Sequence, residues 1–529
     1  MIPREQYLPS DRSAYGSKAF RWNEAIVFIG IVAGAFAGRL YYAATLDPHQ
    51  DEMLHLPSFR NHYGSSDIYP VFKARLDSGS GLPRQIVPLA RKFYAQGELA
   101  QRSLMVLIDG HPLLHPLAME LVQWLTYDSL ATMRAISVLC SVLSVPIAWI
   151  VGRRLGGPCA GLFAAALLAG SAACCYFGAI ARTYALSELG VLGVLLAATA
   201  PDNGEGYLNT RLMLAAVFGQ MTHWLAWPVI GPVVLCAAIF DLVDGNRLAD
   251  LLRRSWCYCL ISVSLLGYLA IQRVNPTLKN VGTMTWNLPE SFGRFASIAP
   301  TGCAVWFPRA GVVAAIVLVG MAIVGAAISR RTETKTEART WVLVVAAPLA
   351  GAFAVLILGP GQNRYYLPAA VPFVIASALC FRSVSTAVPA IVASVLLAAG
   401  ALIAFLMPQN DPFRSPSLPG VTASADDIRA ELARTPRWVA FPYYLADRLY
   451  RSLEGCPSPA QPQNEAEFEA FLRAGLPATV ITLKAKVDKW KDAIDGALEP
   501  VLDIDRSVTC YRFIPSPKVD RDESGSKQP

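Results

Sequence analysis

The sequence predicts a polytopic α-helical membrane protein of about eleven transmembrane helices, followed by a small C-terminal α/β domain on the extracytoplasmic side. Three observations predict it. Of 529 residues, 54% are hydrophobic and only 16% charged, against about 25% charged in soluble domains. The mean hydropathy is +0.39. The apolar residues come in blocks of roughly 16 to 25, the length of helix that crosses a bilayer core. This balance excludes a water-soluble enzyme and, away from the ends, a disordered chain. The net charge of +7, from 46 basic and 39 acidic residues, reads as Arg and Lys in cytoplasmic loops rather than as a nucleic-acid surface.

Residues 1–24 form a cytoplasmic segment, basic through Arg4, Arg12, Lys18 and Arg21. The first span runs from about Ala25 to Thr45. Its length and its internal Arg39 favour a span over a cleaved signal peptide. Ten further blocks follow, at about Ala131–Val151, Gly157–Phe177, Tyr184–Thr199, Leu212–Ala226, Pro228–Leu242, Cys257–Ile271, Gly311–Ile328, Trp341–Leu358, Tyr366–Cys380 and Ala387–Met407. They make residues 25–407 the transmembrane domain. Alternation from an inside N-terminus puts nearly every basic loop inside, as the positive-inside rule requires. These loops hold Arg153 and Arg154, Arg211, Arg247 with Arg253 and Arg254, Arg330 and Arg331 with Lys335 and Arg339, and Arg382. The stretch His111 to Tyr127, HPLLHPLAMELVQWLTY, would reverse every later loop if it crossed. It is read as a helix at the outer surface, within an outer loop over residues 46–130. A second outer loop runs from Gln272 to Arg309.

The tail from Pro408 also lies outside. Ala425–Arg434, Tyr443–Leu453, Glu465–Ala474 and Val487–Leu498 read as helices; Trp438–Phe441, Ala478–Leu483 and Val508–Ile514 read as strands. Residues 408–515 therefore predict the α/β domain, and residues 516–529 a disordered tail. Most of the 11 cysteines fall in spans and pack as small apolar residues. Cys456 and Cys510 share the tail, where an oxidising compartment would allow a disulfide between them.

All six histidines, His49, His55, His62, His111, His115 and His223, fall on the outer side. After the first span comes LDPHQDEMLHL, with Asp51 and Glu52 side by side at the membrane boundary. Partial burial raises a carboxylate pKa toward neutrality, so the pair is a candidate general base. The plain alternative is a solvated loop. A zinc-protease reading fails on its motif: DEMLH lacks the first His of HExxH, and HPLLH lacks the Glu. A divalent ion held by carboxylates stays open. In ARTYALSE, Tyr184 and Glu188 are spaced i, i+4 and share a helix face. An ionised group near the bilayer core costs about 2.5–3.5 kcal/mol, so Arg182 and Glu188 either face a wet cavity or pair to staple helices. His223 in MTHW and Arg364 in GQNRYYLP sit at the outer interface. Arg182, Arg364, His111, His115 and His223 form a cationic set suited to a phosphate group.

This order of signals resembles the GT-C membrane glycosyltransferases, especially the branch of dolichyl-phosphate-mannose protein mannosyltransferases and aminoarabinose transferases. It consists of a first span, an outer loop opening with Asp51 and Glu52, HPLL from His111, a span ending GRRLGG, ARTYAL, TH at His223, and RYYLPAAVP. The likeness covers residues 25 to 400, and Leu113 replaces the family's second Pro. The resemblance implies a GT-C-like fold and transfer of a sugar from a polyprenyl-phosphate donor to a glycan, lipid or protein acceptor on the outer face, with inversion. It implies Asp51 as the base with Glu52 beside it, and Glu188 as a second carboxylate. His111 stands where the aminoarabinose branch has a Lys on the donor phosphate. Arg182 and Arg364 would clamp that phosphate with His115 and His223, and Tyr184 and Tyr365 would contact substrate. No cofactor is required, a divalent cation stays open, and nucleic acid is not a partner. The expected location is a bacterial cytoplasmic (inner) membrane. The alternative is a transporter or lipid flippase, which would show repeats and midplane charges. No repeat is visible, and the ionisable residues gather at one face.

Overall fold

The computed structural model describes residues 18–45, 130–199, 206–274, 308–330, 334–358, 366–382, 425–435, 437–441, 465–474, 476–491, 496–504 and 508–516, with isolated positions between 88 and 121 and at 289 and 292. The described residues form two units, one of helices up to residue 382 and one with a sheet from residue 425. The expected span Ala387–Met407 and the expected helix Tyr443–Leu453 lie outside the described residues.

The helical unit begins with α1, Lys18–Thr45, and α2, Leu130–Ala169. As one rod, the 40 residues of α2 would run about 60 Å, twice the bilayer core. They do not form one rod. Gly157 takes φ 83° and ψ −175°, a conformation that side chains with a Cβ avoid. Pro158 follows and restarts the helix. Around this point the chain folds back. A Cβ on Gly152 would come within 2.9 Å of the Ala160 carbonyl, and one on Gly161 within 2.8 Å of that of Trp149. The two limbs thus touch as a hairpin, with its reversal at GRRLGG.

The second limb does not run straight to Phe177. It stops at Ala169, and Ser171 caps a new short helix, α3, Ala172–Ala179, by accepting from the Cys174 N–H. The chain then bends by 116° into α4, Tyr184–Ala198. Next come α5, Thr210–Thr222, a 3-10 turn Trp224–Ala226, α6, Trp227–Val243, and α7, Leu248–Val274. The expected span Leu212–Ala226 is therefore broken at His223. α4 and α5 cross where Gly190 meets Gly219, so closely that a Cβ on Gly190 would lie 2.7 Å from the Gly219 Cα. The unit continues with α8, Pro308–Ser329, α9, Lys335–Trp341, a π turn Val342–Ala346, α10, Ala347–Leu358, and α11, Leu367–Ala378, which ends in a 3-10 turn Leu379–Phe381. The π turn has a local cause. Pro348 has no N–H and crowds the preceding turn, and the widened turn, closed by the Ala347 N–H on the Val342 carbonyl, lies just before it.

Among the described residues, three segments are long and apolar enough to cross a membrane: Glu24–Ala44, Thr132–Ala169 and Lys335–Ile357. The second is the hairpin. The bent pair α3–α4 passes the same test together, and three shorter apolar helices add to it. Large apolar side chains such as Ile26, Ile29 and Phe36 of α1 and Trp256, Leu260 and Val263 of α7 point outward, as lipid-facing residues do. The chain is an integral membrane protein.

Contacts gather the basic loops at one end of this unit. Arg153 pairs with Glu24 at 3.4 Å and lies over the Trp149 ring. Arg154 donates to the Thr199 hydroxyl, and Arg382 to the Ser329 carbonyl. Asp241 accepts the Tyr207 and Leu208 N–H groups at 2.8 and 2.9 Å. Asp244, just after α6, is gripped by both guanidinium nitrogens of Arg339 and by Lys335 at 3.1 Å. Arg339 also stacks on the Tyr207 and Phe240 rings. These are the loops that alternation puts inside.

In the sheet unit, β1, Trp438–Phe441, β2, Ala478–Leu483, β3, Gly496–Asp503, and β4, Val508–Pro515, form one sheet in the order β1-β2-β4-β3. β1 and β2 are parallel, and the other pairs antiparallel. Strand side chains alternate between faces. Trp438, Ala440, Ile481 and Cys510 pack on one face with Ile428 and Leu432 of α12, Ala425–Ala433. Val439, Phe441, Val480, Tyr511 and Phe513 pack on the other with α13, Glu465–Arg473, and α14, Lys484–Lys491. Glu431 ties α12 to β4 through Arg512 at 2.6 Å. The expected helix Val487–Leu498 is corrected: helix α14 stops at Lys491, and strand β3 begins at Gly496. Pro500 inside β3 hid the strand. β3 is the sheet edge, where a missing N–H is tolerated, and the ladder bulges between Pro500 and Leu502.

Cys510 is a buried free thiol opposite Ile481 and Leu502. Burial pushes it up to about 12. Cys456 lies outside the described residues. In peptide maps after N-ethylmaleimide treatment at neutral pH, we expect Cys510 unmodified in the folded protein and modified after denaturation, because the thiolate is the reactive form. Labelling of the native protein, or a Cys456–Cys510 disulfide in the map, would contradict this.

The Asp244 clamp sets a second expectation. Hydrogen bonds from Arg339 and then Lys335 hold its carboxyl down at about 2, below the ordinary value of about 3.9. Its stabilising contribution is therefore complete above about pH 4 and lost as pH falls through about 2. The melting temperature of Asp244→Asn in nanodiscs should lie below wild type at pH 5, with a gap that narrows as pH approaches 2. A constant gap would sink this reading.

Candidate functional site

The ARTYAL segment makes the reversal between α3 and α4. The Arg182 N–H turns back onto the Ile180 carbonyl at 2.8 Å. The Ser137 hydroxyl of α2 donates to the Arg182 carbonyl at 3.3 Å. Arg182 is itself buried. Tyr184 opens α4. Its ring meets Phe177 of α3 at 5.3 Å between centroids and His223 at 5.8 Å. Two motifs from separate helices thus meet at the end of the unit away from the basic loops.

Glu188 lies one turn beyond Tyr184 and is 1% exposed. The Cys174 and Ser144 side chains face its carboxylate. Tyr184 and Glu188 both look toward α3, as the i, i+4 spacing expects. The Glu188 Oε1 and the neighbouring Ser187 hydroxyl are buried with no hydrogen-bond partner among the described residues. A buried polar atom left so is costly, and such atoms belong with a role in a site or with a bound group.

The cation that acts on Glu188 is Arg39 of α1; among the described residues no ion pair joins Arg182 to Glu188. Arg39 is fully buried. Its Nε donates to Ser141 at 2.6 Å, and its Nη atoms to the carbonyls of Ala35, Leu168 and Ala169 and to the Cys175 sulfur. Leu168 and Ala169 end the second limb of the hairpin, where their carbonyls have lost helical partners. Arg39 supplies what the break removes. The sequence carried its signal, a lone Arg inside an apolar span, but not the partners it would find.

His223 stands between α5 and the turn Trp224–Ala226, buried and extended at φ −161° and ψ 138°. Its carbonyl accepts from the Ala226 N–H at 3.0 Å, and its Nδ1 from the Leu225 N–H at 3.1 Å. Tyr366, at the start of α11, is also buried. Asp51, Glu52, His111, His115, Arg364 and Tyr365 lie outside the described residues. Among the described residues, no three His, Cys, Asp or Glu side chains converge as metal ligands.

Replacing Arg39 by Met should destabilise the protein by about 1–3 kcal/mol, since it leaves the buried Leu168 carbonyl and its neighbours without the guanidinium donors. Thermal unfolding in detergent measures this. An unchanged melting temperature would show that Arg39 does not hold the break.

No family model matches the chain, and no curated protein matches it. Among solved structures the chain is similar to ArnT from Cupriavidus metallidurans bound to undecaprenyl phosphate, at 15% identity and TM-score 0.38, over 93% of this chain and 99% of that one. It is also similar to the apo form of the same protein, at 14% identity and TM-score 0.37, over 95% of this chain and 100% of that one. Scores of this size carry no functional argument.

Proposed function

We propose that the protein is a membrane glycosyltransferase that moves a sugar from a polyprenyl-phosphate donor to an acceptor at the outer face of a bacterial cytoplasmic membrane. The observation that carries this reading is the meeting of Tyr184 and His223 above the buried carboxylate of Glu188. These residues come from motifs that stand in the order of the GT-C glycosyltransferases, and they gather at one end of the helical unit while the basic loops gather at the other.

The chemistry needs a base, a means to hold the leaving group, and a dry wall. Asp51 accepts the proton of the acceptor hydroxyl as its oxygen attacks the anomeric carbon. Glu52 stands beside Asp51 in sequence. The C–O bond to the lipid phosphate breaks, and the phosphate leaves with the electron pair. Arg182 and Arg364, with His111 and His115, neutralise the charge that develops there. Tyr184 and Tyr365 line the sugar. Glu188 is a second carboxylate at the site, and its unbonded Oε1 can accept from a substrate hydroxyl or amine. Direct displacement inverts the anomeric centre. The outward apolar faces of the helices lie against lipid and suit an isoprenoid chain.

Purified wild type and Asp51→Asn in nanodiscs, assayed with radiolabelled polyprenyl-phosphate sugars and a membrane extract as acceptor, test this. Wild type should transfer one of the sugars. A folded Asp51→Asn should lose about 10²–10⁴-fold in rate, the usual contribution of a general base. Equal transfer by both would remove Asp51 from the mechanism.

A further inference from the structure

His223 reads from sequence as one cation of the phosphate set. Its geometry gives it another task. The residue has the extended backbone of a helix N-cap, and its carbonyl takes the first bond of the turn that continues into α6. Its Nδ1 accepts the Leu225 N–H at 3.1 Å, the bond that Ser, Asn or Asp side chains make at this position. A nitrogen that accepts carries no hydrogen. The ring hydrogen therefore sits on Nε2, an assignment made from the hydrogen bond. A hydrogen on Nδ1 would meet the Leu225 N–H head-on, and an imidazolium would stand at the positive end of a helix dipole.

The same ring packs against Tyr184 at 5.8 Å. Among the described residues, the elements packed on this turn, α4, α5, α6 and α11, bring Arg182, Tyr184, Glu188 and Tyr366 to the same end as its charged and titratable groups. We propose that His223 is a neutral positioning residue. It caps the helix that begins at Trp224, fixes the break between α5 and α6, and through its ring sets Tyr184 in the site. It is neither a cation of the phosphate clamp nor a base. The turnover arm of the test rests on the glycosyltransferase reading; the other two arms do not.

The first arm is nitrogen NMR of full-length protein labelled with ¹⁵N-histidine, in nanodiscs, with the His223 signals assigned by their loss in His223→Gln. Between about pH 6 and 8, where free histidines titrate, Nδ1 should stay without hydrogen and Nε2 should keep its own. A protonated Nδ1 anywhere in that range overturns the proposal. The second arm compares His223→Asn with His223→Gln. The Asn oxygen reaches the Nδ1 position and can cap Leu225; the Gln amide reaches the Nε2 position and cannot. His223→Asn should melt near wild type and His223→Gln well below it. In the third arm, kcat/KM for sugar transfer should fall about tenfold or more further in His223→Gln than in His223→Asn, as expected when a site residue is misplaced. The reverse order, Gln active and Asn inactive, would make His223 a ligand of the substrate through Nε2. If no variant or wild type turns over while the first two arms hold, the cap stands and the glycosyltransferase reading falls.

Discussion

A backbone polar group that leaves a helix inside a membrane must find its partner in protein, because lipid offers none. The helical unit depends on how that demand is met where its described helices break or begin. At the end of the α2 hairpin, Arg39 takes the carbonyls of Leu168 and Ala169. The next break is closed from the other side, where Ser171 takes an N–H of α3. At the α5–α6 break, His223 does so with Nδ1. Before α5, Asp241 reaches from α6 to two N–H groups. Each device is a polar side chain in an apolar setting, and each is buried. At these breaks one particular residue each holds the irregular backbone, and those residues are the ones that look anomalous in an apolar sequence.

This explains what could be read in advance and what could not. Apart from Ala387–Met407, the apolar blocks fall on described helices, of which three segments are long and apolar enough to cross a membrane, because length and hydropathy are local properties. GRRLGG predicted the reversal that Gly157 makes. Strands β1 and β2 take the bounds that alternation gave them, Trp438–Phe441 and Ala478–Leu483. The breaks were not legible. The apolar run from Leu212 to Ala226 reads straight through His223, and the run from Gly157 to Phe177 reads straight through Ser171. Hydropathy is blind to a cap, which depends on one side-chain atom meeting one N–H. β3 was missed for a related reason. Pro500 argues against a central strand, and only the sheet order reveals that the strand is at an edge.

The candidate site was legible in part. ARTYAL, TH and Glu188 stand out as polar islands, and the structure brings Tyr184 to His223 and aims Tyr184 and Glu188 at α3. The pairing of charges was not legible. Arg182 and Glu188 are close in sequence and invite a staple, but the cation acting on Glu188 comes from α1. Sequence proximity is a weak guide to electrostatic partnership in a bundle, since each helix touches neighbours far along the chain.

The two ends of the helical unit differ in how their charged groups are held. At the basic end, charges are matched against each other: Glu24 with Arg153, and Asp244 with Arg339 and Lys335. Trp149, Tyr207 and Phe240 supply flat surfaces under the guanidinium groups. Even here the Glu24 Oε1 and the Trp149 Nε1 are buried without a hydrogen bond among the described residues. At the opposite end the matching is incomplete. Among the described residues Glu188 keeps an oxygen without a hydrogen bond beside an equally unbonded Ser187, while the Arg39 donors go to three carbonyls, Ser141 and Cys175. Buried polar atoms without a hydrogen bond among the described residues thus occur at both ends, and what sets the Glu188 end apart is a carboxylate that lies among helix breaks, each held by one polar side chain.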